Sequence, residues 1–376
     1  MISNQKHLFD IPDEITYLAC AERTPFLKTS RKAGIEGIDR KYHTWEINPA
    51  ILTNESEVLR RLFASLIGAT DNDIAIVPST SYGVATAAKN LPLGKGRDIV
   101  ILEDQFPSNV YAWQQLATEK QGNMVVVPRP EDWDWTSAVL EHITTTSDIV
   151  ALPPCHWIDG SRLDLSVIGA RCRDVGASFV IDATQAVGAM PIDVTELKPD
   201  YLLCSGYKWL FCPFTISFLY AAPHRQNDTP LEFHGQNKGF GQTADGHVDY
   251  HDGYLTGARR FDMAERNNFI NMPIAITALE QVESWGPAEI QQTLSPLLTL
   301  CANEARARGW SAPDDDHRVG HYIGLKPGKP VRDDLAAFLK TKGIHVTQRG
   351  PGIRIAPHLF NTNADIHRLF EILDTL

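Results

Sequence analysis

No CxxC pair occurs among the six cysteines of this 376-residue chain, which stand far apart at positions 20, 155, 172, 204, 212 and 301. Thiols paired at metal or redox spacing are therefore missing. Scattered cysteines of this kind read as reduced, mostly buried apolar residues of a cytoplasmic protein. Dense runs of lysine and arginine are missing too. With Lys+Arg 35 against Asp+Glu 46 the formal net charge is −11, so no nucleic-acid surface is expected. The longest apolar stretches, such as 216–222, are strand-sized, which argues against a membrane span. Residues 1–11 hold no apolar core of signal-peptide length. The 13 histidines are scattered without an HExxH or HxxEH spacing, so neither a metal site nor a metal-dependent hydrolase is expected. What remains is an ordinary globular composition, 43% hydrophobic and 22% charged, in a chain long enough for two or three domains.

From about residue 54, helical patterns alternate with short apolar runs. The segment 55–67 (ESEVLRRLFASLI) carries apolar residues at helical spacing, and 81–90, 110–118, 136–144 and 165–175 also read as helices. Apolar runs at 74–77, 98–102, 124–127, 148–152, 178–181, 201–204 and 216–220 read as strands. Apolar strands separated by helices predict an α/β fold with a mostly parallel seven-stranded sheet covered on both faces. Such sheets take their ligands at the carboxyl ends of the strands. Beyond about 270, long helical stretches at 273–284 and 290–308 lead into a smaller α+β unit. It comprises strands at 321–325 and 353–356 and helices at 332–342 and 364–373. The expected division is a large domain over 15–270 and a small domain over 271–376, joined by residues 1–14. The Gly/Asp/Asn-rich span 226–257 reads as surface or interface loops.

The chemistry concentrates in SFVIDATQAVGAMPID (178–193) and DYLLCSGYKWLFCPFTISFLY (200–220). One buried strand ends at Asp182, the next near Ser205, and Lys208 follows three residues later. An acid and an amine at neighbouring strand ends suit a pyridinium cofactor: the carboxylate holds the ring nitrogen protonated and the amine forms an imine. Gln185 is placed to donate a hydrogen bond to the ring's phenolic oxygen. Earlier, VPSTSYGVATAAKNL (77–91) sets Ser79, Thr80 and Ser81 between a strand and a helix. Hydroxyls and free N–H groups at a helix start suit a phosphate, and they equally suit an ordinary helix cap.

On Asp182, Gln185 and Gly188 followed by Ser205-Gly206-Tyr207-Lys208, the chain resembles the class V aminotransferase family of fold-type I enzymes dependent on pyridoxal 5′-phosphate (PLP). Cysteine desulfurases, kynureninases and isopenicillin N epimerase-like proteins are members. The resemblance spans roughly 15–370 and implies a PLP Schiff base on Lys208, with Asp182 as the ring-nitrogen partner. It further implies a phosphate site at Thr80 and Ser81, and an aromatic ring stacked on the cofactor at Phe106, in the EDQFPSN segment. Ser205 and Tyr207 join the cofactor contacts; Tyr207 replaces the family's usual histidine. In RGPGIRIAPHLFNT (349–362), Arg354 stands at the position that grips the substrate α-carboxylate, a task suited to a planar guanidinium fork. PPCHWIDG (153–160) resembles a loop near ring and substrate. For His156 and Trp157 two readings stay open: contact with the ligands, or core packing.

A homodimer is also implied, with ARRFDMAERNNF (258–269) matching a loop that reaches the neighbouring subunit's phosphate; Ala264-Glu265 replaces the usual Gly-Thr there. A desulfurase needs a reactive cysteine ahead of the carboxylate-binding arginine, and none lies between 341 and 354. The favoured activity is an aminotransferase acting at Cα of an amino acid. A C–S or other β-elimination lyase, or an epimerase, is the alternative, since all use Asp182, Lys208 and Arg354.

Overall fold

The structure, a computed structural model, describes residues 1–239, 241–242, 244–250 and 252–376. Among these, seven strands form the main sheet: β1 (Ile74–Val77), β2 (Asp98–Leu102), β3 (Asn123–Val127), β4 (Ser147–Leu152), β5 (Ser178–Asp182), β6 (Tyr201–Ser205) and β7 (Ser217–Ala221). Their spatial order is β1-β7-β6-β5-β4-β2-β3. β7 runs antiparallel to both neighbours, and the remaining pairs are parallel.

Successive strand residues point to opposite faces, and here both faces are apolar. Ile74, Ile76, Val100, Leu102, Ile181 and Phe218 enter one core; Ala75, Val77, Ile99, Ile101, Val180 and Leu219 enter the other. On the first face lies α1 (Pro49–Leu66), whose Phe63 stacks on Phe218 at 4.1 Å between ring centroids. The second face is covered by α2 (Thr80–Asn90) and α3 (Tyr111–Lys120). Helix α4 (Leu165–Val175) returns to the first face, started by Asp164, whose carboxylate accepts the N–H groups of Ser166 and Val167.

Helix α5 (Asn271–Trp285), which the sequence assigns to the small domain, buries Met272, Ala275, Leu279 and Trp285 in the core under the large sheet. The next helix, α6 (Pro287–Ala307), serves mainly a separate core with α7 (Leu335–Thr341) and α8 (Asn363–Leu373). Over these helices lies an antiparallel sheet of β8 (Ile323–Leu325), β9 (Thr347–Arg349) and β10 (Gly352–Ile355), in the order β8-β10-β9. A hairpin joins β9 to β10. Gly350 takes φ +56, the left-handed value this two-residue turn requires at its first position. Near the other end of the chain, Thr16–Tyr17 pairs with Ile344–His345, and Leu18 enters the small core. Among the described residues no helix is long and apolar enough to cross a membrane.

Candidate active site

At the carboxyl edge of the large sheet the ends of β1, β5 and β6 surround a cavity of about 280 Å3. Its walls include Ser79, Thr80, Ser81, Phe106, Trp157, Asp182, Thr184, Gln185, Ser205, Tyr207 and Lys208. Of the cofactor- and substrate-binding residues selected from sequence, all but Arg354 and His156 are therefore brought to one cavity.

Lys208 comes off β6 on the connection to β7. The approach of that connection to the Asp182 segment depends on Gly188, which has φ +92; a Cβ there would meet the Trp209 carbonyl at 2.7 Å. The Lys208 side chain is buried and makes no hydrogen bond or ion pair among the described residues. Its Nζ lies 5.1 Å from the centre of the Phe106 ring and 5.6 Å from that of Tyr207. Burial, seconded by the charge of Arg354, lowers the amine to about 8 against partial support from Asp182. Asp182 ends β5 with Oδ1 accepting the Thr184 N–H at 3.1 Å. Burial pushes its carboxyl up, opposed by the Thr184 hydrogen bonds and the Lys208 charge.

Opposite these groups, Ser79 caps α2 by accepting the Tyr82 N–H at 3.1 Å and shares a hydrogen bond of 2.9 Å with Ser81. The Thr80 hydroxyl bonds those of Ser205 at 2.6 Å and Thr184 at 3.0 Å. Thr184 also accepts the Ser205 N–H at 3.1 Å, so it braces both strand ends. The N–H groups of Thr80 and Ser81 have no acceptor among the described residues. A helix start with free N–H groups and a hydroxyl cluster makes an anion cradle. Sequence reasoning missed Thr184 as a contributor, because an isolated hydroxyl in D-A-T-Q also fits a turn.

Gln185 is more constrained than its sequence role implies. Its Nε2 donates to the Ala21 carbonyl at 2.9 Å and its Oε1 accepts the Trp209 indole N–H at 2.9 Å. One amide hydrogen remains for a ligand. The Phe106 ring forms part of the wall, edge-to-face with Trp157 at 5.4 Å. Tyr207 stacks on Phe214 at 4.3 Å, and its hydroxyl has no hydrogen-bond partner among the described residues.

His156 is not on the cavity wall. It stacks flat on Trp135 at 5.2 Å, its Nε2 sits 3.1 Å from the Glu103 carbonyl, and burial lowers its basicity. Trp157, its neighbour, is the residue of that loop that reaches the cavity. Arg354 stands behind Trp157, in β10. It is buried, its Nη1 donates to the Trp157 carbonyl, and its Nε has no partner. No carboxylate pairs with it among the described residues. Burial, then the nearby charge of Arg349, lowers it to about 10.

The segment 258–269 is tied inward. Asp262 is gripped by Arg60 through two hydrogen bonds of 3.0 and 2.9 Å, both side chains being fully buried, and Arg266 Nε lies 3.2 Å away. Arg259 pairs with Glu57.

These groups suit PLP. An anion cradle lies across the cavity from a buried carboxylate whose charge a ring N–H⁺ would stabilise, and the unpaired amine has its basicity lowered. Acid, amine and cradle on the carboxyl edge of an α/β sheet define a PLP-dependent enzyme. The chain belongs to the aminotransferase class V family, whose model matches residues 43–361. It is 27% identical over 328 residues to the uncharacterised aminotransferase YcbU of Bacillus subtilis, covering 85% of this chain and 83% of that one. Among solved structures it superposes on a cysteine desulfurase from Thermococcus onnurineus NA1 with a TM-score of 0.86 at 19% identity, covering 100% of this chain and 98% of that one. The cystine C–S lyase C-DES gives a TM-score of 0.87 at 18% identity, covering 96% and 97%. These two likenesses show the shared fold.

Proposed function

We propose that the protein is a PLP-dependent aminotransferase acting at Cα of an amino acid, with Lys208 and Asp182 as its catalytic residues. The observation that carries this reading is the single cavity in which the buried Lys208 amine, the Asp182 carboxylate and the Thr80–Ser81 helix start meet. When bound, the cofactor draws electrons from the substrate's Cα and makes its proton acidic. Asp182 holds a proton at the ring nitrogen. Thr80, Ser81, Ser205 and the Tyr207 hydroxyl bind the phosphate, and the second Gln185 amide hydrogen is donated to the phenolic oxygen. Phe106 covers one ring face and excludes water. Lys208 Nζ takes the proton from Cα and returns it, a role suited to an amine of lowered basicity. Arg354 receives the α-carboxylate: a buried guanidinium without an anionic partner is costly until a carboxylate meets it.

A desulfurase reading finds no support in the residues. The hairpin ahead of Arg354 holds no cysteine, and all six thiols are buried. The reading also includes a homodimer, supported by Ile35, Ile38 and Tyr42 exposed along one helix (Lys28–Tyr42) with Trp45 exposed just beyond it. Of the surface or interface span expected at 226–257, residues 240, 243 and 251 lie outside the described residues. The test of the activity is amino-group transfer: holoenzyme, a panel of 15N-labelled amino acids and a 2-oxo acid acceptor, with products identified by mass. Labelled amino acid formed from the acceptor is expected. Release of ammonia with pyruvate or a thiol instead, and no transfer, would make the protein a β-elimination lyase.

A further inference from the structure

Trp157 belongs to two cavities. One is the site described above; the other, about 780 Å3, lies between the loop 129–133 of the large domain and the β9–β10 hairpin of the small one. The Trp157 ring meets Phe106 edge-on, its carbonyl accepts Arg354 Nη1, and the Arg349 guanidinium lies 4.8 Å from its centroid. The hairpin register explains why both arginines gather there. Thr347 is opposite Arg354 and Arg349 is opposite Gly352, so Arg349 and Arg354 are diagonal neighbours on one face, about 7–8 Å apart at their bases.

Arg349 is no better satisfied than Arg354. Its Nη1 donates to the Gln348 carbonyl at 2.9 Å, while its Nε is buried without a partner. The acids nearby are otherwise engaged. Asp159 pairs with Arg129, which also lies 3.7 Å from Asp104. Glu22, whose charge acts on Arg349, accepts Thr347 Oγ1 at 3.1 Å and Arg23 Nη2 at 3.0 Å. Glu131 is solvent-exposed, as is Lys326, a further cation of this groove. Two neighbouring guanidiniums, each lacking a carboxylate within ion-pair distance, repel one another. Such a pair is stabilised by two anionic groups.

We infer that Arg349 is a specificity-determining residue that binds a second anionic group, so that the substrate is an amino acid with an acidic side chain. This rests on the proposed function, in which Arg354 takes the α-carboxylate and leaves the diagonal position for the side chain's carboxylate, sulfinate or similar group. Trp157 forms the wall between the reacting carbon and that distal group.

Calorimetric titration of the holoenzyme with unreactive acids tests the inference independently of turnover. Succinate and glutarate should bind at least about tenfold more tightly than butanoate and pentanoate, their length-matched monocarboxylates. Arg349→Gln should bring that ratio close to one, Arg349→Lys should keep part of it, and Arg354→Gln should weaken both classes. Circular dichroism and cofactor absorbance check that each variant is folded and loaded. A wild-type ratio near one, including no binding by either class, overturns the inference, as does a ratio unchanged in Arg349→Gln. Dicarboxylate preference in a protein that transfers no amino group would overturn the proposed activity and leave this site standing.

Discussion

Lys208 is a base whose strength is set by its surroundings. Held near 8 rather than at the usual value of 10.5, about a tenth of the amine is neutral at pH 7, far more than for an exposed lysine. Only the neutral amine attacks a carbonyl carbon. The rate at which PLP is captured by the cofactor-stripped protein should therefore climb with pH and level off above about 8, read by absorbance between pH 6 and 10. The sign of each neighbour follows. Arg354→Gln removes a repulsive charge and should move the midpoint up, whereas Asp182→Asn removes an attractive one and should move it down. A wild-type midpoint close to 10.5 would show that burial does not act on this amine as described. Asp182→Asn should also lose electrostatic support at the ring nitrogen and slow Cα deprotonation by about a hundredfold or more. Single-turnover deuterium exchange at Cα measures this, and an unchanged rate would remove Asp182 from the chemistry.

Whole elements stand or fall on a few buried contacts, of which Arg60–Asp262 is the clearest. Asp262 accepts two guanidinium N–H bonds and the Ile76 N–H at 2.8 Å, fixing the segment 257–266 against β1. Arg60→Met leaves a buried carboxylate with only Arg266 for charge, and should cost about 3–5 kcal/mol. Urea unfolding followed by circular dichroism would show it, and a midpoint unchanged from wild type would mean that water reaches the pair.

The same scale shows what the sequence could reveal. Helix α4 was legible over its full length because Ile168 and Cys172 repeat at helical spacing behind a capping Asp164. The Lys28–Tyr42 helix was not, because KTSRKAGIEGIDRKY has few apolar residues. Its Gly34 and Gly37 instead allow close approach to Ile274 and the Phe269 carbonyl. Asp182 and Lys208 could be read from strand ends, which the apolar runs mark. His156 could not be placed, since PPCHWIDG leaves open which of two adjacent rings turns inward; Trp157 does, and His156 pairs with Trp135 instead. Arg349 escaped notice because the strand carrying it is only three residues long.

At the scale of the whole molecule, the exposed row of Ile35, Ile38 and Tyr42, with Trp45 beyond it, is the kind of apolar surface that a second copy covers. Light scattering at micromolar concentration should give twice the single-chain mass of 41.8 kDa, and Tyr42→Ser with Trp45→Ser should lower it. A fully active species of single-chain mass would overturn the dimer.

The insertion of β7 between β1 and β6 also sets a timetable for synthesis. β1 carries the start of the anion cradle, yet among the described residues its only strand partner is β7, with Ile74 registered on Tyr220. A growing chain emerges from its amino end and cannot form a pairing before both strands exist. The cradle can therefore join Asp182 and Lys208 in one sheet only after the stretch through Ala221 has been made. Arg354 is added more than a hundred residues later. All the strands that position the cofactor residues are thus synthesised before the arginine proposed to receive the carboxylate.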